Sequence, residues 1–199
     1  MAELEKTGKH LEGRGFRVHR FASGAEAAEF LVQTLQGTSI GIGGSVTIDT
    51  LGVYDRLCES NEVFWHWKNH APETRERAGK AETYLCSANG VSENGEIVNI
   101  DGYGNRVTGT IYGPQRVFLV VGRNKIGPDL NGAIDRARNI AAPLNARRLN
   151  RHTPCAVGEP RCHDCRSPEK ICGVMTVFFM PPTSIKEFHV ILVDEDLGY

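Results

Sequence analysis

The chain has 199 residues, of which 40% are hydrophobic and 24% are charged, and its formal net charge is −1. This is an ordinary globular composition with enough length for one sizeable core, so we expect a single domain over residues 1–199. The balanced charge gives no electrostatic reason to expect nucleic acid or an anionic membrane surface as a partner. No apolar run approaches the roughly 20 residues of a transmembrane helix, and the start lacks the apolar core of a signal peptide. We therefore expect a cytoplasmic protein without membrane insertion.

Strand and helix patterns alternate in the first part of the chain. Residues 16–21 alternate as a half-buried strand, and Ser23 with Glu26 forms a capping box at the start of a helix. A short apolar run at 38–42 predicts a buried strand, and a second helix follows the glycines after it. This order predicts an α/β fold with an open, mostly parallel sheet and helices on both faces. The residues expected on the inner face of the second helix are Ile48, Leu51, Tyr54 and Cys58.

The second part of the chain predicts three more strands and one long helix. Residues 116–121 form a continuous apolar run, which is typical of a central strand that is buried on both faces. Helical spacing covers residues 128–142, and Pro143 is expected to end that helix. The other two strands are expected at residues 174–179 and 188–193.

A glycine-rich turn at residues 41–47 lies where a strand is expected to meet a helix. Gly43 and Gly44 would let the backbone approach a ligand closely, and a helix start offers free N–H groups to an anion. Ser45 and Thr47 would add hydroxyl contacts. The alternative is a tight turn in which one of these hydroxyls only caps the helix. The turn departs from the dinucleotide-binding pattern at its last position and lacks the lysine of a P-loop.

A polar segment at residues 89–106 is the second candidate for chemistry. Its Asn-Gly pair at 94–95 is a strong signal for a hairpin turn. The density of polar side chains around the hairpin indicates a cleft at the carboxyl ends of parallel strands, where open α/β sheets bind ligands. A lysine just beyond the strand at 116–121 is expected to reach the same edge. The polar residues expected at this cleft are Asn89, Asp101, Asn105, Arg106 and Lys125.

Four of the six cysteines fall within an 18-residue loop with the spacing C-x6-C-x2-C-x6-C. Prolines and a glycine supply the bends that would bring the four thiolates around one centre, and disulfides are disfavoured in a reducing compartment. An excess of basic residues between 147 and 172 would favour thiolates over thiols. The expected metal ligands are Cys155, Cys162, Cys165 and Cys172.

The spacing of this loop does not choose its occupant. A 4Fe-4S cluster, a structural zinc ion and free thiols all remain open, although four-cysteine zinc sites more often use two short C-x2-4-C pairs. His152 and His163 are alternative zinc ligands or surface residues. Cys58 and Cys86 lie in apolar patterns and are expected to be core thiols.

The aromatic run Phe64-Trp65-His66-Trp67 indicates packing or an exposed patch for self-association as a homodimer. Because the unperturbed pKa of histidine lies near neutrality, His66 is a candidate acid or base. Asp101 and Lys125 are the other two candidates for catalysis.

The order and spacing of these motifs resemble the LUD-domain proteins of lactate utilisation. The resemblance runs over nearly the whole chain and rests on the glycine turn, on Asn-Ile-Asp-Gly-x-Gly-Asn-Arg at 99–106, on Val-Gly-x-Asn-Lys at 121–125 and on the four-cysteine loop. It implies a Rossmann-like fold of the NagB/RpiA/CoA-transferase type, whose relatives bind sugar phosphates, acyl-CoA or folate derivatives. By the same resemblance, the residues that bind an anionic small molecule would be Gly43, Gly44, Ser45, Thr47, Asn89, Asp101, Asn105, Arg106 and Lys125.

Two function classes follow from these observations. The resemblance implies an accessory or electron-transfer component of a lactate oxidation system, with iron-sulfur oxidoreductase subunits as partners and a 4Fe-4S cluster in the cysteine loop. The alternative is a stand-alone isomerase, transferase or cyclo-ligase-like enzyme with zinc or nothing in the loop. The metal content of the purified protein separates the two classes.

Overall fold

The computed structural model describes residues 2–199 and is built around a parallel β-sheet. The strands in this part of the chain are β1 (Arg17–Phe21), β2 (Ser39–Ile42), β3 (Glu62–Trp65), β4 (Thr83–Ser87), β5 (Gly90–Ser92), β6 (Ile97–Asp101), β7 (Arg116–Gly122), β8 (Ile126–Gly127), β9 (Val174–Phe178) and β10 (Glu187–Val193).

Short helices connect most of these strands. The α-helices of the described residues are α1 (Ala2–Gly13), α2 (Gly24–Thr34), α3 (Val46–Leu51), α4 (Tyr54–Cys58), α5 (Thr74–Lys80), α6 (Asn105–Ile111), α7 (Leu130–Arg136), α8 (Ala142–Arg148) and α9 (Pro154–Val157). A 3-10 turn (Arg123–Lys125) follows β7, and a π-helical segment (Ala137–Ala141) joins α7 to α8. None of these helices is long and apolar enough to cross a membrane.

The main sheet has six strands in the order β1-β10-β7-β4-β2-β3, and every neighbouring pair is parallel. The central strand β7 explains why the apolar run at 116–121 is continuous. Val117, Leu119 and Val121 face one buried cluster, whereas Phe118 and Val120 face a second cluster on the other side of the sheet. Both faces are therefore covered, which confirms the predicted α/β fold with an open, mostly parallel sheet.

A second, four-stranded sheet in the order β8-β5-β6-β9 is an addition that the sequence patterns do not predict. The Asn-Gly turn joins β5 to β6 as an antiparallel hairpin, as predicted, and β9 pairs with β6 in antiparallel register. Helix α7 and the π-helical segment cover this sheet and enclose a small core with Val98 and Ile100. The second sheet therefore sets the position of the chain on both sides of the cysteine loop.

Two helix predictions are wrong in their extent. The predicted second helix is two short helices, because Gly52 ends α3 with φ of 63° and a new helix starts at Tyr54. Cys58 is exposed and is not a core thiol, whereas Cys86 is fully buried as predicted. Pro143 does not end its helix.

The helical path continues through Pro143 to Arg148 for a local reason. Pro143 lies at the start of α8, where its fixed φ suits the helix. The wider π-helical segment directly before it frees the proline ring from the preceding turn. The extension matters because residues 142–148 form one wall of the cysteine cavity and of the cleft described below.

We predict that Gly41→Ala lowers the free energy of unfolding by about 1–3 kcal/mol, because overpacking a tight contact costs that much. An added Cβ would clash with the carbonyl oxygen of Ala78 in α5. Chemical denaturation measures the effect. Gly79→Ala is the matched control, since a Cβ there meets nothing within 4 Å and alanine favours a helix. Equal stability of the two variants would contradict the close packing of β2 against α5.

Candidate functional site

The carboxyl ends of the parallel strands gather the candidate residues at one edge of the sheet. After β2 the chain continues to β3 at one edge of the sheet. After β4 the next strand of this sheet is β7, which lies in the direction of the other edge. Such a change of direction between two adjacent strands opens a crevice above them, which is where α/β proteins bind ligands. The glycine turn follows β2, Asn89 follows β4, and Lys125 follows β7.

Lys125 lies at the floor of this crevice and is almost completely buried. Its Nζ donates hydrogen bonds of 2.7 Å to the Thr47 hydroxyl and of 2.7 Å to the Ser87 hydroxyl. Burial is the main cause that lowers the pKa of Lys125 well below its usual value, and the positive charges of Arg136 and Arg106 add to it. The lysine therefore joins the loops that follow three neighbouring strands, and it loses its proton more readily than an exposed lysine does.

Arg106 joins the polar segment to the glycine turn. Its Nη1 donates to the Asn89 side-chain oxygen at 2.8 Å, and its Nη2 donates to the Gly44 carbonyl. The same Asn89 oxygen accepts the backbone N–H of Ile100 at 2.9 Å. Since the guanidinium has five N–H donors, those not used by the protein remain for a ligand.

Asp101 and Ser45 have structural roles in this arrangement. The Asp101 carboxylate accepts the backbone N–H groups of Tyr103, Arg106 and Val107, so it organises the start of α6. The Ser45 hydroxyl accepts the Ile48 N–H at 3.2 Å and caps α3. The alternative in which a hydroxyl of the glycine turn caps the helix therefore applies to Ser45.

Another basic side chain, Arg136, lies behind Lys125 and Asn89. Arg136 is buried and donates to the backbone carbonyls of Asn124 and Asn89, each at 2.6 Å. Burial lowers the pKa of Arg136 to about 10. Within residues 2–199, no carboxylate forms an ion pair with Lys125, Arg106 or Arg136. The two arginines at the base of the crevice therefore carry positive charge that no carboxylate pairs with.

A large open cleft of about 700 Å³ lies above Arg106. Its charged lining residues are four arginines and one lysine against one aspartate and one glutamate. Arg148 stacks on the ring of Trp67 with 4.4 Å between the guanidinium carbon and the ring centroid. The predicted residues that line this cleft are Gly44, Asp101, Asn105, Arg106 and His66.

A smaller cavity of about 30 Å³ lies beside Lys125. Several polar residues of the predicted site line this cavity. Gly43 borders neither cavity and packs close to Tyr84 and Cys86. The predicted residues that line the small cavity are Ser45, Thr47, Asn89, Arg106 and Lys125. Arg106 therefore borders both spaces.

His66 faces the large cleft but is not poised to exchange protons near neutral pH. Burial, followed by the charge of Arg75, lowers the pKa of His66 to about 4. Its Nδ1 is buried without a hydrogen-bond partner. The ring is half-buried and lies among cations, which disfavours its protonated form.

The four loop cysteines line one further cavity, of about 60 Å³. None of them is in a disulfide. The rest of the lining includes Ala142, Pro143 and Ala146 from α8. Among residues 2–199, no three His, Cys, Asp or Glu side chains are already placed to hold a metal ion.

Hydrogen-bond donors point at the sulfur atoms of this cavity. Arg138 Nη2 lies 3.4 Å from Cys162 Sγ and 3.2 Å from an Asp164 carboxylate oxygen. The Asp164 backbone N–H also donates to Cys162 Sγ at 3.4 Å, and the Thr153 hydroxyl lies 3.3 Å from Cys155 Sγ. Burial is the main cause that raises the pKa of the Cys172 thiol.

The cysteine cavity and the large cleft share a wall. Ile100, Lys170 and Ile171 border both spaces, and Lys170 and Ile171 lie between the third and fourth cysteines of the loop. Gly102 permits this approach, because a Cβ there would lie 2.7 Å from the Ile171 Cα. The Asp-Gly pair of the polar segment thus brings the cysteine loop against the cleft.

Sequence patterns do not single out Ser87, Arg136 or Arg138, although all three contact candidate residues. Arg136 has a weak signal, since it falls on the apolar face of its helix beside Ala133 and Ala137 and is buried with them. Ser87 and Arg138 have no signal in their local sequence. Their roles depend on the packing of elements that are far apart in the chain.

Comparisons with known proteins agree with this architecture. The crystal structure of a DUF162 family protein from Deinococcus radiodurans matches with a TM-score of 0.57 at 13% sequence identity, and the match covers 96% of each chain. At that identity the likeness shows the fold alone. No curated protein matches the chain significantly. The family model of the LUD domain matches residues 4–193, so the resemblance is confirmed and the chain belongs to the LUD domain family.

Proposed function

We propose that this protein is an accessory or electron-transfer component of an iron-sulfur lactate oxidation system. In this proposal the cysteine loop holds a 4Fe-4S cluster, the cleft binds an anionic small molecule, and iron-sulfur oxidoreductase subunits are the partners. Membership of the LUD family supports the link to lactate utilisation. The observation that carries the proposal is that four free cysteines line one cavity, which shares a wall with a cationic cleft.

The donor set of the loop fits an iron-sulfur cluster. Four thiols are the ligands that such a cluster requires, and N–H groups directed at sulfur are the contacts that adjust its potential. One water-sized sphere needs about 10–15 Å³ of cavity, so the cavity of about 60 Å³ exceeds the space of one ion. When bound, a cluster supplies one-electron transfer.

The charge around the loop also fits a cluster. Four thiolates bring negative charge, and the Arg138 guanidinium directly contacts Cys162. The raised pKa of Cys172 favours its thiol form, so this residue would have to lose its proton to act as a ligand. Uptake is therefore favoured as the pH rises.

The shared wall gives the two sites a functional connection. Ile100 and Ile171 form an apolar contact layer between the cysteine cavity and the cleft, so a bound molecule and a cluster would be separated by one layer of side chains. The basic residues of the cleft would bind a carboxylate or a phosphate. This arrangement supports a role in which oxidation or reduction occurs beside a bound anion.

A stand-alone isomerase, transferase or cyclo-ligase-like enzyme with a structural zinc is the second candidate. The buried amine of Lys125 beside a small polar cavity favours it, because perturbed groups in clefts are frequent in active sites. Anaerobic purification followed by iron, sulfide and zinc analysis separates the candidates. Stoichiometric zinc in a colourless protein would overturn the cluster proposal.

We predict that the four loop cysteines act as one unit. Replacing any one of Cys155, Cys162, Cys165 and Cys172 by Ser should remove most of the bound iron and the visible absorption, because the ligands share one centre. Iron analysis and absorption spectra measure the loss. Cys58→Ser is the control, since this cysteine is exposed and lies in α4 outside the loop. Full iron retention in two of the four variants would contradict a single site.

We predict that Arg138→Gln keeps the iron but lowers the reduction potential, by on the order of 50 mV, because the cation that stabilises added negative charge is lost. A redox titration followed by electron paramagnetic resonance measures the potential. Arg161→Gln is the matched control, because this arginine pairs with Glu159 in the same loop. An equal shift in both variants would show that Arg138 acts only through general surface charge.

We predict that Arg106→Ala weakens the binding of anions by about 1.5–3 kcal/mol, or roughly 10- to 100-fold, through loss of a charge-assisted contact. Thermal shift with phosphate and with small carboxylates measures the binding. Arg77→Ala is the control, since Arg77 pairs with Glu62 at the far edge of the sheet. If no anion raises the Tm of the wild-type protein, the anion cleft is refuted.

A further inference from the structure

The amine of Lys125 is held in a defined orientation by two hydroxyl groups. The Thr47 hydroxyl donates to the Leu197 carbonyl at 3.2 Å, and the Ser87 hydroxyl donates to the Ala88 carbonyl at 3.3 Å. Because both hydroxyl hydrogens are used in this way, each oxygen accepts from Lys125 and the lysine is the donor. Two hydrogens on the Lys125 nitrogen therefore point at these hydroxyl oxygens.

The remaining position on the nitrogen is free for a reaction. Among the described residues, Thr47 and Ser87 are the acceptors within hydrogen-bond distance of Nζ. In the amine form, the unused position is the lone pair. Lys125, Thr47 and Ser87 all line the small cavity, and Arg106 lines it with them.

The size of the cavity limits what can meet the amine. Its volume of about 30 Å³ corresponds to two or three water-sized spheres at about 10–15 Å³ each. Such a space accepts the reacting end of a small molecule. Arg106 borders both this cavity and the large cleft, so it can hold a carboxylate next to the amine.

The surrounding charges favour the amine over the ammonium. Burial, Arg136 and Arg106 lower the pKa of Lys125, whereas Cys86 acts in the opposite direction. The pKa of Cys86 itself is raised to about 12 by burial, so this thiol is neutral at pH 7 and offers no compensating negative charge.

We propose that Lys125 is a nucleophilic amine that condenses with the carbonyl carbon of a small 2-oxo carboxylate, whose carboxylate group Arg106 holds. This inference deepens the proposed function and rests on its anion cleft. The nitrogen of Lys125 forms a bond to the carbonyl carbon, and the carbon–oxygen bond breaks. Both amine hydrogens leave with that oxygen as water, and an imine remains. No oxidant or reductant is consumed.

The two hydroxyls have a positioning role in this step. Ser87 and Thr47 accept both amine hydrogens, so they fix the orientation of the Lys125 nitrogen for attack on the carbonyl carbon. A lysine with only a structural role would show the same hydrogen bonds but would not react with a carbonyl compound. Chemical trapping of the imine distinguishes the two roles.

The test is reductive trapping on the metal-loaded protein. Pyruvate and sodium cyanoborohydride are added at pH 7, and the adduct is located by proteolysis and mass spectrometry. We expect modification at Lys125 and little at the exposed Lys9 and Lys80, whose amines are held in ion pairs with Glu5 and Glu76. Lys125→Met should abolish the adduct. An unmodified Lys125, or equal modification of all three lysines, would overturn the proposal.

Two further measurements separate this inference from the proposed anion cleft. Ser87→Ala, checked for folding by circular dichroism, should slow trapping by roughly tenfold or more, because a hydrogen-bond acceptor that orients the amine is lost. Thermal shift with pyruvate is measured in parallel. If pyruvate raises the Tm but Lys125 is not modified, the imine is refuted while the anion cleft stands. If neither occurs, both proposals fail.

Discussion

The two hydrogen bonds from Lys125 to Thr47 and Ser87 are the contact on which the rest of the site depends. They join the loops after β7, β2 and β4, which are neighbours in the sheet. A buried amine with two acceptors and no anion is costly unless the surrounding polar groups are satisfied. Here the two hydroxyl groups are satisfied by backbone carbonyls, so the network fixes the loops around the buried amine.

The uncompensated charge has a physical consequence for ligands. Arg106 and Arg136 lie near Lys125, and each donates to carbonyl or amide oxygens rather than to carboxylates. These neutral carbonyl and amide oxygens hold the guanidinium groups in place but do not cancel their positive charge. A ligand that brings a negative charge gains attraction without having to displace a protein carboxylate. Because Asn89 accepts from Arg106 through a neutral amide oxygen, the positive charge of this arginine is kept for the proposed anion.

The sequence predicts the elements of this fold better than the contacts between them. Periodicity identifies β7 and the capped start of α2, where the Ser23 hydroxyl accepts the Glu26 N–H. These are local signals. The path through Pro143 is not predicted, because a proline at the first turn of a new helix resembles a helix stop when only spacing is considered.

The candidate site shows the same division between local and distant information. The spacing of the cysteines predicts that they gather, and the structure places them around one cavity. The contact of Arg138 with Cys162 joins a helical segment to a loop 24 residues later, and no local pattern carries that information. The low pKa of His66 likewise depends on burial and on Arg75, neither of which is visible in the sequence around it.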